Sequence, residues 1–170
     1  MKKLIIAVAA LMVTAAAYGQ GSVVFNNRVT GVVDARVLLP DGSGAGAGIT
    51  AQLWGGPAGT AVDKLVALSP TTTFRTTSAA AMGYVNSINV DVPGVAAGAQ
   101  ATLVMRAFNG ADWASSALRG ESNPITVSLG GGVLTPPNLV GMNGFTLVPE
   151  PSTIALGILG AAVLLFRRRR

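Results

Sequence analysis

Near the C-terminus, Val148, Pro149, Glu150 and Pro151 set one carboxylate between two prolines. Proline locks φ at about −65° and removes a backbone donor, so the pair biases the segment towards an extended, stiff conformation. Protease-like clefts bind peptides in that form, as an added strand. Glu150 offers such a cleft a fixed negative charge. These residues therefore suit binding of the segment, as an extended strand, by a partner cleft.

The remaining side chains point away from catalysis by the chain. Histidine and cysteine are both absent from the 170 residues. Without them Ser-His-Asp and Cys-His activation, histidine general bases, and the usual ligands of zinc and most transition metals are all missing. The seven carboxylates are dispersed singly and suggest no pair for glycoside hydrolysis. Residues 42–48, GSGAGAG, look superficially like a phosphate loop. Ala47 occupies the third glycine position of G-x-G-x-x-G and no Gly-Lys-Ser/Thr follows, so the segment reads as a loop between strands. Asp41-Gly42 lacks the ligand series of a calcium loop and reads as a turn. We expect no enzyme activity, no cofactor and no metal.

Trp54, Tyr84, Phe108 and Trp113 have the amphipathic rings that stack on sugars. With only nine aromatics in the chain, most are expected to fill the core. Trp113, beside Asn109-Gly110-Ala111-Asp112, is the one expected to be exposed. A secreted carbohydrate-binding module is therefore the alternative function.

Two terminal segments must position the processing chemistry. Residues 152–166 form a candidate span that is almost purely apolar from Ile154 to Phe166, and Arg167, Arg168, Arg169 and Arg170 follow. As a helix, those 15 residues span about 22 Å. The hydrocarbon core of a bilayer is about 30 Å thick, so the span is short for a permanent anchor. Arginine snorkelling, local thinning or the processing enzyme would make up the deficit. The arginines act as a membrane stop held in the cytoplasm. At the other end, Lys2 and Lys3 precede an apolar stretch, residues 4–17, interrupted by Thr14 alone. The small residues Ala17 and Gly19 then favour cutting by signal peptidase after Gly19, with Gln20 as the mature start; a cut after Ala17 is the nearest alternative. Residues 1–19 thus read as a signal-peptide helix.

Charge belongs to these ends. The chain holds 12 Lys+Arg against 7 Asp+Glu, a net +5. Lys2, Lys3, the four terminal arginines and Glu150 already account for it. Between them, six cations (Arg28, Arg36, Lys64, Arg75, Arg106, Arg119) face six anions (Asp34, Asp41, Asp63, Asp91, Asp112, Glu121). A neutral exported region has no basic face for phosphate, and nucleic acid is excluded as a partner.

The region between, residues 20–147, suits a single domain stabilised without disulfides. Its pattern is short β runs separated by Gly, Pro, Asn and Asp. Runs are expected at 22–25, 35–39, 49–54, 64–68, 71–77, 84–92, 101–108, 125–129 and 144–148. Gly55-Gly56-Pro57 and Pro93-Gly94 are expected to end two of them. Strands at this spacing predict an all-β fold, an antiparallel immunoglobulin-like β-sandwich, with a small closed barrel as runner-up.

The sequence VPEPST, the apolar run and the terminal arginines closely resemble the PEP-CTERM sorting signal of Gram-negative bacteria. The resemblance covers residues 148–170. It implies a precursor held transiently in the inner membrane, recognised by exosortase, a membrane-embedded cysteine transpeptidase, and delivered to the cell surface or extracellular matrix. There the domain would sit among exopolysaccharide and neighbouring proteins as a non-catalytic component. Middle domains of such proteins generally have no assigned activity, so the resemblance implies a destination and no chemistry.

Overall fold

The computed structural model describes residues 20–150. Along them run thirteen strands: β1 (Gln20–Phe25), β2 (Arg28–Val29), β3 (Val33–Asp34), β4 (Val37–Leu38), β5 (Thr50–Pro57), β6 (Val66–Ala67), β7 (Thr72–Thr73), β8 (Ile88–Ala96), β9 (Gln100–Phe108), β10 (Leu118–Glu121), β11 (Ile125–Ser128), β12 (Phe145–Thr146) and β13 (Val148–Pro149). Helical structure among the described residues amounts to one 3₁₀ turn, Val62–Lys64. No helix among them is long and apolar enough to cross a membrane. The expected helices at 1–19 and 152–166, with Ala17, Gly19, Pro151 and Arg167 to Arg170, lie outside the described residues.

The fold is all-β, as the patterning predicts, and every sheet pairing is antiparallel except the short β4–β12 contact. The largest sheet has seven strands, with β9 at its centre. β5 pairs along the whole of β9, from Thr50 opposite Phe108 to Pro57 opposite Ala101. The other side of β9 is shared by β10, opposite residues 106–108, and β11, opposite residues 100–103. β1 and β8 form a second, two-stranded sheet. Val23 and Phe25 of β1, Val90 and Val92 of β8, Leu53 of β5, and Leu103 and Met105 of β9 join in one buried core. The strands are thus grouped as one broad sheet with three two-stranded companions.

β9 is buried on both faces. Leu103, Met105 and Ala107 face the shared core, and Thr102, Val104, Arg106 and Phe108 lie on the opposite face. A charge in such a strand requires a partner, because an unpaired buried charge is strongly disfavoured.

Two expected strand ends are corrected. β5 runs through Gly55-Gly56 to Pro57. A Cβ at Gly55 would lie 2.7 Å from Leu103 Cδ2 and 3.0 Å from Leu68 Cδ1, so glycine is there to admit close packing. β8 continues past Pro93-Gly94 to Ala96, because those residues form a bulge: Gly21 pairs with Val92, but Gln20 pairs with Ala96. Gly94 takes a φ of +77°, which glycine alone adopts easily. Conversely, residues 84–87 precede β8; Val85 makes an isolated bridge to Phe74 instead. The loop at 42–48 is a connection, as expected. Asp41 Oδ1 accepts hydrogen bonds from the Ser43 N–H (2.9 Å) and hydroxyl (2.7 Å), closing an Asx turn.

One buried side chain ties distant segments together. The Asn27 amide donates to Ala35 O at 2.7 Å and Gly83 O at 2.9 Å, and its oxygen accepts from the Val85 N–H at 2.9 Å.

Candidate functional site

Val148 and Pro149, at the start of the Pro-Glu-Pro segment, form β13, the outermost strand of the large sheet, and Glu150 follows it. Val148 pairs with Arg119 and Pro149 with Leu118. The Glu150 N–H donates to Ala117 O at 2.8 Å. Successive backbone N–H groups along a strand point to opposite edges, so the Pro149 nitrogen faces away from β10. Proline is tolerated there, since a solvent-facing edge position needs no donor.

Arg119 links this strand to the domain. Its guanidinium forms an ion pair with the Glu150 carboxylate. It also donates to Trp113 O at 2.7 Å and lies 5.0 Å from the Trp113 ring centroid. Next along, the Arg106 guanidinium stands 4.8 Å from the Trp113 centroid and 4.2 Å from that of Trp54. The result is a row that starts at a carboxylate and alternates cations with indoles: Glu150, Arg119, Trp113, Arg106, Trp54. Each cation–π contact contributes about 0.5–2 kcal/mol, more where water is excluded.

The sheet register builds this row. Arg119 sits opposite Phe108, and Glu121 opposite Arg106. Gln52 sits opposite Arg106 and Trp54 opposite Val104, which makes Trp54 and Arg106 diagonal neighbours on one face. Arg106 Nε donates to Glu121 Oε2 at 2.8 Å. Trp113 is carried over that face by the loop between β9 and β10. Asn109 receives the Leu118 N–H (2.9 Å), Asp112 Oδ1 the Ser115 N–H (2.8 Å), and Asp112 O the Ser116 hydroxyl (2.6 Å). The hydrogen bond from the Ser115 N–H holds the Asp112 carboxyl below its ordinary pKa. Trp113 also meets the Phe108 ring edge-on at 6.3 Å.

Beside the row lies a groove of about 490 Å³, lined by Thr50, Gln52, Trp54, Thr71, Asp112 and Trp113 among others. Its polar groups are mostly neutral. Trp54 Nε1 is buried next to it without a hydrogen-bond partner.

Trp113, expected to be exposed, is half-buried, and its ring is engaged by two arginines. The other described arginines are engaged as well. Arg28 stands over the Tyr84 ring, Arg36 donates to Met82 O and Ala79 O, and Arg75 donates to Val85 O. Tyr84 in turn donates to Asp34 Oδ1 at 2.7 Å. Among the described residues no three of His, Cys, Asp and Glu gather as a metal site. Sequence reasoning counts Arg106 and Arg119 only as background charge. A signal for Arg106 is nevertheless present: a lone charge inside ATLVMRAF, a run otherwise fit for burial on both faces. Arg119 carries no such local mark, because its partner is 31 positions away by number (119 to 150).

No curated protein and no solved structure matches the chain. Residues 147–170 match a family model described as the PEP-CTERM protein-sorting motif. That match includes the edge strand and the carboxylate held by Arg119. The chain thus carries a PEP-CTERM sorting signal, the mark of a protein processed by an exosortase and exported through the membrane to the cell surface or extracellular space.

Proposed function

We propose that the protein is a non-catalytic component of the cell surface or extracellular matrix, a β-sandwich module delivered by its C-terminal signal. The motif at 147–170 carries this reading. The region it delivers has matched charges, and its arginines are engaged in internal contacts. In this reading residues 1–19 are a signal peptide cut by signal peptidase at Ala17 or Gly19. Residues 152–166 reside transiently in the inner membrane, stopped by Arg167 to Arg170. Replacing Pro149, Glu150 and Pro151 together by alanine should leave the precursor in the inner membrane, as read by fractionation. Surface display at the wild-type level would overturn the proposal. Mass spectrometry of the mature termini tests both processing events in one measurement.

The groove beside Trp54 and Trp113 favours a second reading, a carbohydrate-binding module. Neutral hydroxyl and amide groups next to indole edges suit a neutral saccharide. A glycan array probed with the secreted protein tests it. Binding that is lost in both Gln52→Ala and Trp113→Ala supports a saccharide site, and an array without signal removes it.

A further inference from the structure

The sorting segment is already bound, by the domain that precedes it. We propose that the β10 edge, with Arg119, is a binding surface for the sorting strand, so that domain and exosortase compete for the same residues. This rests on the motif being the exosortase's substrate.

Two features of a proline-flanked acidic peptide can be read by a strand-binding cleft. One is the backbone N–H between the prolines, and the other is the carboxylate. Both are in use here. The Glu150 N–H is donated to Ala117 O, and its carboxylate is paired with Arg119. The outward edge of β13 has no donor at Pro149 to offer in exchange. The exosortase therefore cannot take Glu150 by strand addition while the domain holds it.

The holding side is prearranged. Trp113 O and the Trp113 ring fix the Arg119 guanidinium, and Arg106 supports that ring from the Trp54 side. An arginine immobilised beforehand loses less side-chain freedom when it meets the carboxylate. The neighbouring geometry is equally close-fitting. A Cβ at Gly120 would lie 3.0 Å from Thr146 O and 3.3 Å from Leu147 Cα, so a missing side chain on β10 lets the chain leading into the sorting strand pass close. Arg119 is thus a positioning residue for the sorting reaction. It acts by retaining the substrate strand, and its loss should accelerate processing.

The test uses full-length precursors in cells that carry the exosortase, followed by pulse–chase. Arg119→Ala, with the motif untouched, should shorten the precursor half-time about two- to fivefold, the range expected for a partly exposed ion pair. Arg119→Lys, which keeps the charge but not the planar contacts, should fall between. Asn27→Ala serves as control, because it weakens the fold away from β10. Equal rates for wild type and Arg119→Ala would overturn the proposal, as would equal acceleration by Asn27→Ala. A second readout is hydrogen exchange at the Glu150 amide in detergent-solubilised precursor. It should be slow in the wild type and fast in Arg119→Ala; an unprotected amide in the wild type overturns the proposal. If no precursor is cut, even with an intact motif, the sorting reading has failed, and amide exchange alone decides whether β10 holds the strand.

Discussion

Two carboxylates in this domain, Asp41 and Asp112, are held by short local hydrogen bonds. The Ser43 hydroxyl and N–H hold the Asp41 carboxyl below its ordinary value of 3.8, and the Ser115 N–H does the same for Asp112. A group whose pKa is lowered by folding stabilises the native state above its unfolded value and loses that contribution as pH falls through the folded one. The thermal midpoint should therefore decline below about pH 4, and Asp41→Asn with Asp112→Asn should flatten that acid limb. Tyr84 has the opposite sign. Its hydrogen bond to Asp34, reinforced by burial, raises its pKa above 10.0. Its contribution is complete below pH 10 and lost as pH rises through the raised value. Tyr84→Phe should flatten the alkaline limb, which thermal melts between about pH 9 and 12 would show.

At the scale of elements, β10 and β11 run in succession along one side of β9 with a break at residues 122–124, and the break is repaired by a side chain. The Ser122 N–H donates to Met105 O at 2.9 Å, while the Ser122 hydroxyl accepts from the Met105 N–H at 3.0 Å. The hydroxyl takes the place of a missing ladder carbonyl. Ser122→Ala should leave the buried Met105 N–H unpaired and destabilise the domain by about 1–3 kcal/mol, measured by urea unfolding. Ser122→Gly should fare no better, since it too removes the accepting hydroxyl. The elements also show what the sequence makes legible. β5 and β8 are long enough for period-2 alternation to be visible, and Val90 and Val92 are buried with Asn89 and Asp91 exposed, as the pattern predicts, while β9 is legible as a run apolar on both faces. The β2–β3 hairpin, β10 and β13 are too short to have a period. β13 is further hidden by Pro149, which argues against any strand except an edge one. Gly-Gly-Pro and Pro-Gly mislead for a related reason. They mark places of unusual backbone, and only tertiary contacts decide whether that is an end, a bulge or a close approach.

For the whole molecule, destination is readable in the sequence and attachment is not. Val148 to Pro151 stand adjacent in the chain, so the sorting signal can be recognised locally. The row from Glu150 through Arg119, Trp113 and Arg106 to Trp54 joins residues from separate strands and a loop, and only the folded register brings them together. The neutral charge balance is legible as a tally. That it reflects specific pairs, such as Arg106 with Glu121, is not.

The pairing of Val148 and Pro149 with β10 also sets the length of a leash. With that strand seated, only Glu150 and Pro151 separate the sheet from the candidate membrane span that begins at Ser152. Two extended residues reach about 7 Å, comparable to the roughly 5–7 Å headgroup layer on each side of a bilayer. If the tail sits in the bilayer as proposed, the seated strand would hold the domain close to the membrane surface, with the β10 side nearest the lipid. In the same proposal, lifting β13 away would release slack and give the domain room to tilt and admit a membrane-embedded enzyme beneath it.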